Sequence, residues 1–393
     1  MSLETRTVDV AIVGGGVMGL SVAYHLLTLG AVDSVAICEQ DPLHLRSSTG
    51  LSAGGVRDLF STAVNIALAR YSIRFFEEFC SRTAIAGEEG PEINFRRQGY
   101  LFLMNRQNEA GFLRRADFQE RHGVALERLD RAQLARRYPA LRTEDLTGAI
   151  FGKSDGFLDA YQVMQGLRQK AVELGAAFID EPVRGIAVEG GRVVGLQTAT
   201  VSLVARRGIV NAAGAWAGEV ARLAGVGVPV LPVVRQVYVC KPPEDVFGGY
   251  PFVGAPSGLY FHPEPGGRLL MGKAMPDDKV GLSWDWDRRR FEDLIWPELA
   301  ERVPLMERTR LEGGWAGLVE NTPDLSGIIG EHPDVRAFYL LAGFSGLGLM
   351  LAPGAGLALA EIIGRGRACT IDVGDLRPER FAEGRSTEEE KTM

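Results

Sequence analysis

A glycine motif near the start of the chain restricts its fold more than any other feature. Gly14, Gly16 and Gly19 follow the spacing G-x-G-x-x-G, directly after the apolar run Val8–Val13 and before a helical pattern over Val17–Leu29. In such a motif the first glycine forms a tight turn, the second lets a pyrophosphate approach the backbone, and the third lets helix and strand pack closely. The free N–H groups and the dipole at the start of the helix then favour a phosphate. The pattern therefore predicts a βαβ unit that binds a dinucleotide.

An acidic residue after the next strand narrows the choice of dinucleotide. Val35–Cys38 is a short apolar run that predicts a second buried strand, and Glu39 follows it. A carboxylate at this position accepts hydrogen bonds from ribose hydroxyls and repels a 2′-phosphate. We therefore expect Glu39, with Gln40 beside it, to contact the ribose of a cofactor that lacks that phosphate.

The order of the later elements predicts two interleaved domains of an α/β protein. Leu203–Ala213 and Phe338–Leu341 indicate strands that return late to the first sheet, whereas Val233–Lys241, Leu259–His262 and Arg268–Gly272 indicate an antiparallel sheet. We expect a Rossmann-type domain with a central, mostly parallel sheet, interleaved with an α+β domain built on a large antiparallel sheet. The predicted nucleotide-binding domain comprises residues 5–85, 150–230 and 320–370, the second domain residues 86–149 and 231–319, and a frayed tail residues 378–393. A cofactor held by both ends of the chain favours FAD over NAD.

Charge and composition disfavour several classes of protein. The net charge of −7 argues against a nucleic-acid partner. The four cysteines include no C-x-x-C pair, so neither a metal site nor a redox dithiol is predicted. Residues 337–360 carry no charge, but their glycines and Pro353 favour a buried strand, turn and helix over a transmembrane segment. The helix is expected over Pro353–Ile363, with Pro353 near its first turn. Scattered cysteines and the lack of a recognisable leader give the expectation of a cytoplasmic protein.

Several further segments, spread over nearly the whole chain, occur in an order that is typical of one family. They are Val8–Gly19, Ser47–Arg57, Phe95–Leu101, Val210–Trp216, Trp315–Asp324 and Ala342–Met350. On these segments the chain resembles the D-amino-acid oxidase superfamily of flavoproteins. It resembles in particular the branch that contains sarcosine oxidases, dimethylglycine dehydrogenases and FAD-dependent oxidoreductase domain-containing proteins.

The resemblance implies that FAD is held largely by the backbone of these segments. Gly346–Met350 is expected to direct N–H groups at the flavin N1 and C2 carbonyl, where reduced flavin gains negative charge. The expected FAD contacts are Gly14, Gly16, Val17, Met18, Gly19, Glu39, Gln40, Ser47, Ser48, Thr49, Ser52, Ala53, Gly54, Gly55, Val183, Ala213, Gly214, Trp216, Gly317, Gly343, Ser345, Gly346, Leu347, Gly348, Leu349 and Met350.

The chain departs from the family pattern at three places. Members that tether FAD use a cysteine where this chain has Gly317, or a histidine in the early loop, and Ser47–Arg57 contains none. The departures therefore imply non-covalent FAD. Monomeric sarcosine oxidases hold the substrate carboxylate with a lysine where this chain has Met350, and Leu347 replaces their usual histidine. The identity of the substrate is therefore left open.

Four side chains are the candidates for catalysis or substrate binding, and a fifth, Lys273, is a candidate for the reaction with oxygen. Arg57 is the first candidate for a substrate carboxylate, because a guanidinium offers a bidentate fork, although an exposed or supporting salt bridge is the alternative. Tyr260 and His262 share one face of a strand, and Tyr100 lies on another strand; each has a structural alternative as a packed side chain. Lys273 is a candidate for oxygen activation, but a solvated surface lysine is the more frequent outcome.

The chemistry that the resemblance implies is hydride transfer to flavin N5 from a C–H bond beside nitrogen. The expected substrate is a secondary or cyclic amine or amino acid similar to sarcosine, dimethylglycine or proline. The expected electron acceptor is oxygen, a quinone or a partner flavoprotein. Two alternatives stay open: oxidation of a 2-hydroxy acid or glycerol phosphate, and a non-catalytic flavoprotein subunit or assembly factor.

Overall fold

A computed structural model describes residues 3–390, and their strands form two eight-stranded sheets and a short ribbon. The strands are β1 Glu4–Val13, β2 Val35–Cys38, β3 Gly55–Val56, β4 Tyr100–Met104, β5 Leu126–Asp130, β6 Gly148–Gly152, β7 Gly156–Phe157, β8 Ala177–Ile179, β9 Gly185–Glu189, β10 Arg192–Gln197, β11 Val201–Asn211, β12 Leu231–Lys241, β13 Phe252–Gly254, β14 Tyr260–Glu264, β15 Arg268–Gly272, β16 Arg310–Asn321, β17 Ile328–Glu331 and β18 Phe338–Ala342. The helices are α1 Val17–Thr28, α2 Ala63–Glu77, α3 Phe79–Arg82, α4 Glu109–Arg121, α5 Arg131–Arg137, α6 Ala160–Glu173, α7 Ala217–Leu223, α8 Arg288–Arg290, α9 Trp296–Arg302 and α10 Gly348–Arg365.

The first sheet confirms the predicted Rossmann-type architecture. Its main order is β17-β18-β11-β1-β2-β8, and β1 is parallel to both β2 and β11. Strands β8 and β18 continue the parallel part, whereas β17, β9 and β10 add antiparallel edges. The central strands are aliphatic and buried, as a sheet covered on both faces requires. Helix α1 packs against α6 and α10, so the far ends of the chain meet beside the glycine motif.

The second sheet is the predicted antiparallel one, in the order β16-β12-β15-β14-β13-β4-β6-β5. Only the pair β13 and β4 is parallel within it. Side chains alternate between its faces. Leu101 and Phe261 belong to the core that includes α9, whereas Tyr100 and Phe252 belong to the core of the first sheet. One face of this sheet is therefore turned towards the nucleotide-binding half.

The last helix begins earlier than its sequence indicates. Pro353 was expected in the first turn, but α10 begins at Gly348 and contains Pro353 in its interior. Two side chains from neighbouring helices bond the backbone around the proline: Ser21 donates to the Ala352 carbonyl at 2.8 Å, and Ser72 accepts the Gly354 N–H at 3.1 Å. These tertiary bonds help a proline fit where it interrupts the helical ladder. By length and composition α10 is able to cross a membrane, but 78% of it is buried inside the fold.

The prediction of a frayed tail from residue 378 is wrong for the residues that the structure describes. Arg380 is 1% exposed and donates to both carboxylate oxygens of Asp324, at 2.8 and 3.0 Å. Further along, Glu389 is 4% exposed and binds the start of α2. The charged composition of the tail predicted fraying, but two of its charges, on Arg380 and Glu389, are buried among their partners. Residues 391–393 of that prediction lie outside the described part.

Candidate functional site

Two adjoining cavities lead from the carboxyl ends of the parallel strands to the second sheet. We call the first the dinucleotide cavity; its volume is about 330 Å³ and its walls include Gly16, Glu39 and Trp216. We call the second the aromatic cavity; its volume is about 240 Å³ and its walls include Arg57 and Tyr260. Both cavities are lined by Ser48, Ser52, Leu318, Val319, Gly346 and Leu349. A long ligand is therefore able to extend from one into the other.

The three motif glycines occupy distinct positions around the dinucleotide cavity. Gly14 has a φ of +108°, and a Cβ there would collide with the carbonyl of Ala212. A Cβ on Gly19 would collide with the carbonyl of Gly14, so this residue permits the close packing of α1 on β1. Gly16 lines the cavity, and a Cβ there would meet only Thr49 Oγ1, at 3.4 Å. The second glycine is thus the one that leaves room for a ligand.

Glu39 is held at the end of β2 by two backbone hydrogen bonds. Its Oε2 accepts from the N–H of Gly15 and its Oε1 from the N–H of Asp41, both at 2.7 Å. Glu39 and Gln40 both line the dinucleotide cavity. The carboxylate is therefore fixed beside the glycine turn, where ribose hydroxyls are able to donate to it.

Most of the sequence-predicted cofactor residues lie on the cavity walls. The dinucleotide cavity contains Gly14, Gly16, Val17, Met18, Glu39, Gln40, Ser47, Ser48, Thr49, Ser52, Val183, Ala213, Gly214, Trp216, Gly346, Gly348 and Leu349. The aromatic cavity adds Ala53, Gly55, Gly317, Ser345, Leu347 and Met350. The remaining three, Gly19, Gly54 and Gly343, line neither cavity; a Cβ on Gly54 would collide with the Leu158 carbonyl, and one on Gly343 would meet Thr322 at 2.5 Å.

The residues present fit FAD. The start of α1 supplies backbone N–H groups for a pyrophosphate, and Gly16 leaves its approach open. Thr49 accepts the N–H of Val17 at 3.2 Å, which draws its loop over the start of the helix. Glu39 offers the ribose acceptor, and the shared wall around Gly346 gives a ring system access to the second cavity.

A row of stacked rings forms one wall of the aromatic cavity. The centroid of Phe252 is 4.2 Å from that of Tyr100 and 5.4 Å from that of Tyr260. Burial raises the pKa of Tyr260 to about 12 and also raises the pKa of Tyr100. Both phenols therefore stay protonated at neutral pH and are able to donate hydrogen bonds. A Cβ on Gly55 would collide with the Tyr100 hydroxyl, which explains the glycine before Val56.

Arg57 lines the same cavity and is 4% exposed. Its Nη1 donates to the Leu59 carbonyl, and its guanidinium lies 4.3 Å from the centroid of Phe60. Behind it lie two buried carboxyl groups, and the Asp58 N–H donates to Asp155 at 2.8 Å. Burial raises the pKa of both carboxyl groups, and the charge of Asp58 raises that of Asp155 further. The arginine is therefore a buried cation next to a carboxyl pair that resists full ionisation.

The structure does not bring His262 or Lys273 to either cavity wall. His262 is 1% exposed and packs between Phe157 and Phe252, with centroid distances of 4.6 and 4.8 Å. Burial lowers its pKa to about 4, so the ring is neutral at neutral pH. His262 therefore lies behind the cavity wall: Tyr260 shares its strand face, but the aromatic packing covers the histidine. Lys273 forms an ion pair with Glu298, and its side chain is 15% exposed.

Sequence reasoning missed several residues of these walls. Arg235 lines the aromatic cavity and Glu320 the dinucleotide cavity. Burial raises the pKa of Glu320 to about 7, against the lowering effect of hydrogen bonds from the N–H groups of Gly343 and Phe344. Both lie on long strands of the second sheet, where the alternation of side chains was the only available signal.

The carboxyl-terminal segment was also missed. Glu389 and Glu390 line the aromatic cavity. Glu389 accepts from the Ser61 N–H at 2.8 Å, from Thr62 Oγ1 at 3.1 Å and from Asn65 Nδ2 at 3.0 Å. No local pattern connects residue 389 with the start of α2, so only the fold places these carboxylates at the cavity.

Comparison with known proteins agrees with this geometry. A family model described as FAD dependent oxidoreductase matches residues 9–362. FAD-dependent oxidoreductase domain-containing protein 1 of Bos taurus is 33% identical, over 97% of this chain and 86% of that protein. Human mitochondrial sarcosine dehydrogenase is 30% identical, over 92% of this chain but 40% of that protein. The structure of glycine oxidase from Geobacillus kaustophilus superposes with a TM-score of 0.83 at 25% identity, and covers 95% of this chain and 99% of the other.

Proposed function

Because the chain belongs to the FAD-dependent oxidoreductase family, we propose that it oxidises a secondary or cyclic amine or amino acid similar to sarcosine, dimethylglycine or proline. The observation that carries this proposal is the aromatic cavity, in which a buried guanidinium faces the same space as a wall of stacked rings. Similarity to sarcosine dehydrogenase and glycine oxidase supports a C–H bond beside nitrogen as the reacting bond.

In this proposal FAD supplies the oxidant that takes a hydride from the carbon beside nitrogen, and the chain positions the substrate. Arg57 binds the substrate carboxylate through a bidentate, charge-assisted contact. Tyr100 and Tyr260 act as hydrogen-bond donors, because both phenols stay protonated. Neither phenol therefore acts as the base: the substrate ammonium loses its proton to solvent before the hydride leaves, and the oxidised substrate is an iminium. The start of α10, at Gly348 and Leu349, directs N–H groups and a helix dipole at developing negative charge.

The electron acceptor is a separate part of the proposal. Lys273 is paired with Glu298 and lines neither cavity, which favours an acceptor other than oxygen, such as a quinone or a partner flavoprotein. We expect an artificial dye to be reduced much faster than hydrogen peroxide forms in air-saturated buffer. Equal rates of dye reduction and peroxide formation would contradict this expectation. Non-covalent FAD and a cytoplasmic location stay predictions.

Anaerobic bleaching of the flavin absorbance tests the proposed reaction. Sarcosine, dimethylglycine and proline are compared with a 2-hydroxy acid and glycerol 3-phosphate at equal concentrations. We expect at least one amine to bleach the flavin, and neither hydroxyl compound to do so. Bleaching by a hydroxyl compound alone would replace the proposal with C–O oxidation. A flavin that no compound reduces would favour the non-catalytic subunit.

A further inference from the structure

The stacked wall of the aromatic cavity has an arginine near each end. At the Tyr100 end lies Arg57, whose guanidinium is 5.5 Å from the centroid of Phe102. That ring lies 5.7 Å from Tyr100, which in turn stacks on Phe252. Arg57 is therefore beside the first ring of the row.

Arg235 lies at the opposite end of the row. Val237, two residues further along the same strand face, pairs with Gly272, and Gly272 pairs with Tyr260. The charge of Arg235 accordingly acts on the Tyr260 phenol. Both arginines line the aromatic cavity, with the ring row between them.

The charges around Arg235, whose side chain is 22% exposed, leave an excess of positive charge in a partly buried place. Its Nη1 donates to Asp278 at 2.6 Å, and Arg290 donates to the other oxygen of the same carboxylate at 2.6 Å. The Asp278 side chain is 5% exposed, so one buried carboxylate serves two guanidinium groups. The further partner of Arg290, Asp277, is 79% exposed and therefore screened by solvent. Burial lowers the pKa of Arg235, which indicates that Asp278 does not fully compensate the cation.

The acidic residues of the same cavity are engaged elsewhere. Glu389 accepts three hydrogen bonds at the start of α2, and Glu390 pairs with Arg115. Asp58 and Asp155 lie behind Arg57 and not at the Arg235 end. The uncompensated positive charge is therefore at the Tyr260 end of the ring row.

From this arrangement we propose that the substrate carries a second anionic group, and that Arg235 is the specificity-determining residue that binds it. The inference rests on the proposed function, because it assigns the first carboxylate to Arg57. The substrate class is then an amino acid with an acidic side chain or an acidic N-substituent. Arg235 takes no part in bond making; it adds affinity only for the second anion.

Equilibrium binding tests this without any turnover. Glutarate and butyrate, which differ in one carboxylate and are not oxidised, are titrated against the FAD-loaded protein while the flavin absorbance spectrum is followed. We expect glutarate to bind wild type at least about tenfold more tightly than butyrate, since a charge-assisted contact contributes about one to two decades of affinity. Arg235→Met is expected to remove this preference while butyrate binding stays within a few-fold.

Arg288→Met is the matched control, because it removes a positive charge from α8 without touching Asp278 and without being among the residues that line the cavity. It is expected to keep the preference for glutarate. The inference is wrong if wild type does not prefer glutarate, if Arg235→Met weakens both ligands equally, or if Arg288→Met has the same effect as Arg235→Met. If Arg235→Met loses FAD, Arg235→Gln is used in its place. The comparison of glutarate with butyrate on the wild-type protein tests the inference in either case.

The outcomes separate this inference from the proposed function. Bleaching by sarcosine with no preference for glutarate would leave amine oxidation standing and refute the second anion. A glutarate preference that depends on Arg235, together with a flavin that no amine reduces, would support the site for a second anion and refute amine oxidation. With a positive binding result, N-methylglutamate is expected to bleach the flavin at lower concentration than sarcosine.

Discussion

The dinucleotide cavity and the aromatic cavity adjoin, yet they are built in different ways. The first is made around a turn and a helix start, so its recognition groups are largely backbone N–H groups and the space left by the missing side chain at Gly16. The second is made of large side chains from strands and a tail that are remote in sequence, such as Tyr100, Arg235 and Glu389. A backbone site depends on local spacing, whereas a side-chain site depends on how distant elements pack. The two cavities should therefore respond differently to substitution.

The largest expected effect is the loss of FAD in Gly16→Val. The branched side chain would fill the space beside Thr49 that a pyrophosphate needs, while the fold itself has room for a Cβ there. The ratio of flavin to protein absorbance after purification measures the effect. Gly185→Val is the control, because no atom lies within 4 Å of its added Cβ and it lines neither cavity. Stoichiometric flavin in Gly16→Val would show that the phosphate site lies elsewhere.

Arg57→Met should leave the dinucleotide cavity intact and weaken the aromatic cavity. Loss of a charge-assisted bond to a substrate carboxylate is worth about 1.5–3 kcal/mol, or roughly one to two decades in the dissociation constant. Methionine keeps the approximate length of the side chain next to Phe60. The dissociation constant is measured by titrating wild type and variant with a substrate that bleaches the flavin. An unchanged constant at full flavin content would assign Arg57 a structural role and weaken the amino-acid proposal.

Glu389→Gln should destabilise the wall that the tail contributes. The Glu389 carboxylate accepts hydrogen bonds at the start of α2, where the helix dipole also favours its negative charge. We therefore expect the free energy of unfolding to fall by about 1–2 kcal/mol. Glu388→Gln is the control: its side chain is exposed, and surface changes are usually within about 0.5 kcal/mol. Denaturant titration of the holoprotein gives both values. Equal stability of the two variants would mean that the tail adds little to the cavity.

The smallest expected effect is a change in FAD affinity with pH, caused by Glu320 in the dinucleotide cavity. The pKa of Glu320 is raised to about 7, so its carboxyl is neutral below that pH and ionises as the pH rises through it. Because its folded pKa exceeds the unfolded value, the contribution of this group to the free energy of unfolding is complete below about pH 4.5 and is lost as the pH rises to about 7. The new charge should also oppose the FAD phosphates and lower FAD affinity a few-fold. Apoprotein is titrated with FAD at pH 6 and pH 8. The wild type should bind FAD more weakly at pH 8 than at pH 6, whereas Glu320→Gln should bind it equally at both.

The predictions for individual residues also differ between the dinucleotide cavity and the aromatic cavity. Glu39 was predicted from its distance to the glycine motif, and it lies at the cavity because β1, α1 and β2 are consecutive. Tyr260 and His262 were candidates on one strand face, and His262 was the weaker of the two because a structural histidine is more frequent. The packing of Phe157 and Phe252 against the histidine then separated a wall residue from a packed one.

Two further points depended on contacts between remote segments. The tail seemed disordered by composition, but Arg380 pairs with Asp324 in the interior. Pro353 indicated a helix start, but Ser21 and Ser72 from neighbouring helices support it inside α10. In each case the deciding partner lies far away in sequence, so a local pattern carries no record of it.

The sequence by itself determined the nucleotide-binding half: its βαβ unit, its glycine turn, the place of Glu39 beside that turn, and its family. These features follow from short-range spacing, because each is set by residues in one turn or two neighbouring elements. The tertiary structure decided the composition of the aromatic cavity. Arg57, Arg235 and Glu389 are brought together by the packing of two sheets and the tail, and a charge becomes a binding group only through what surrounds it.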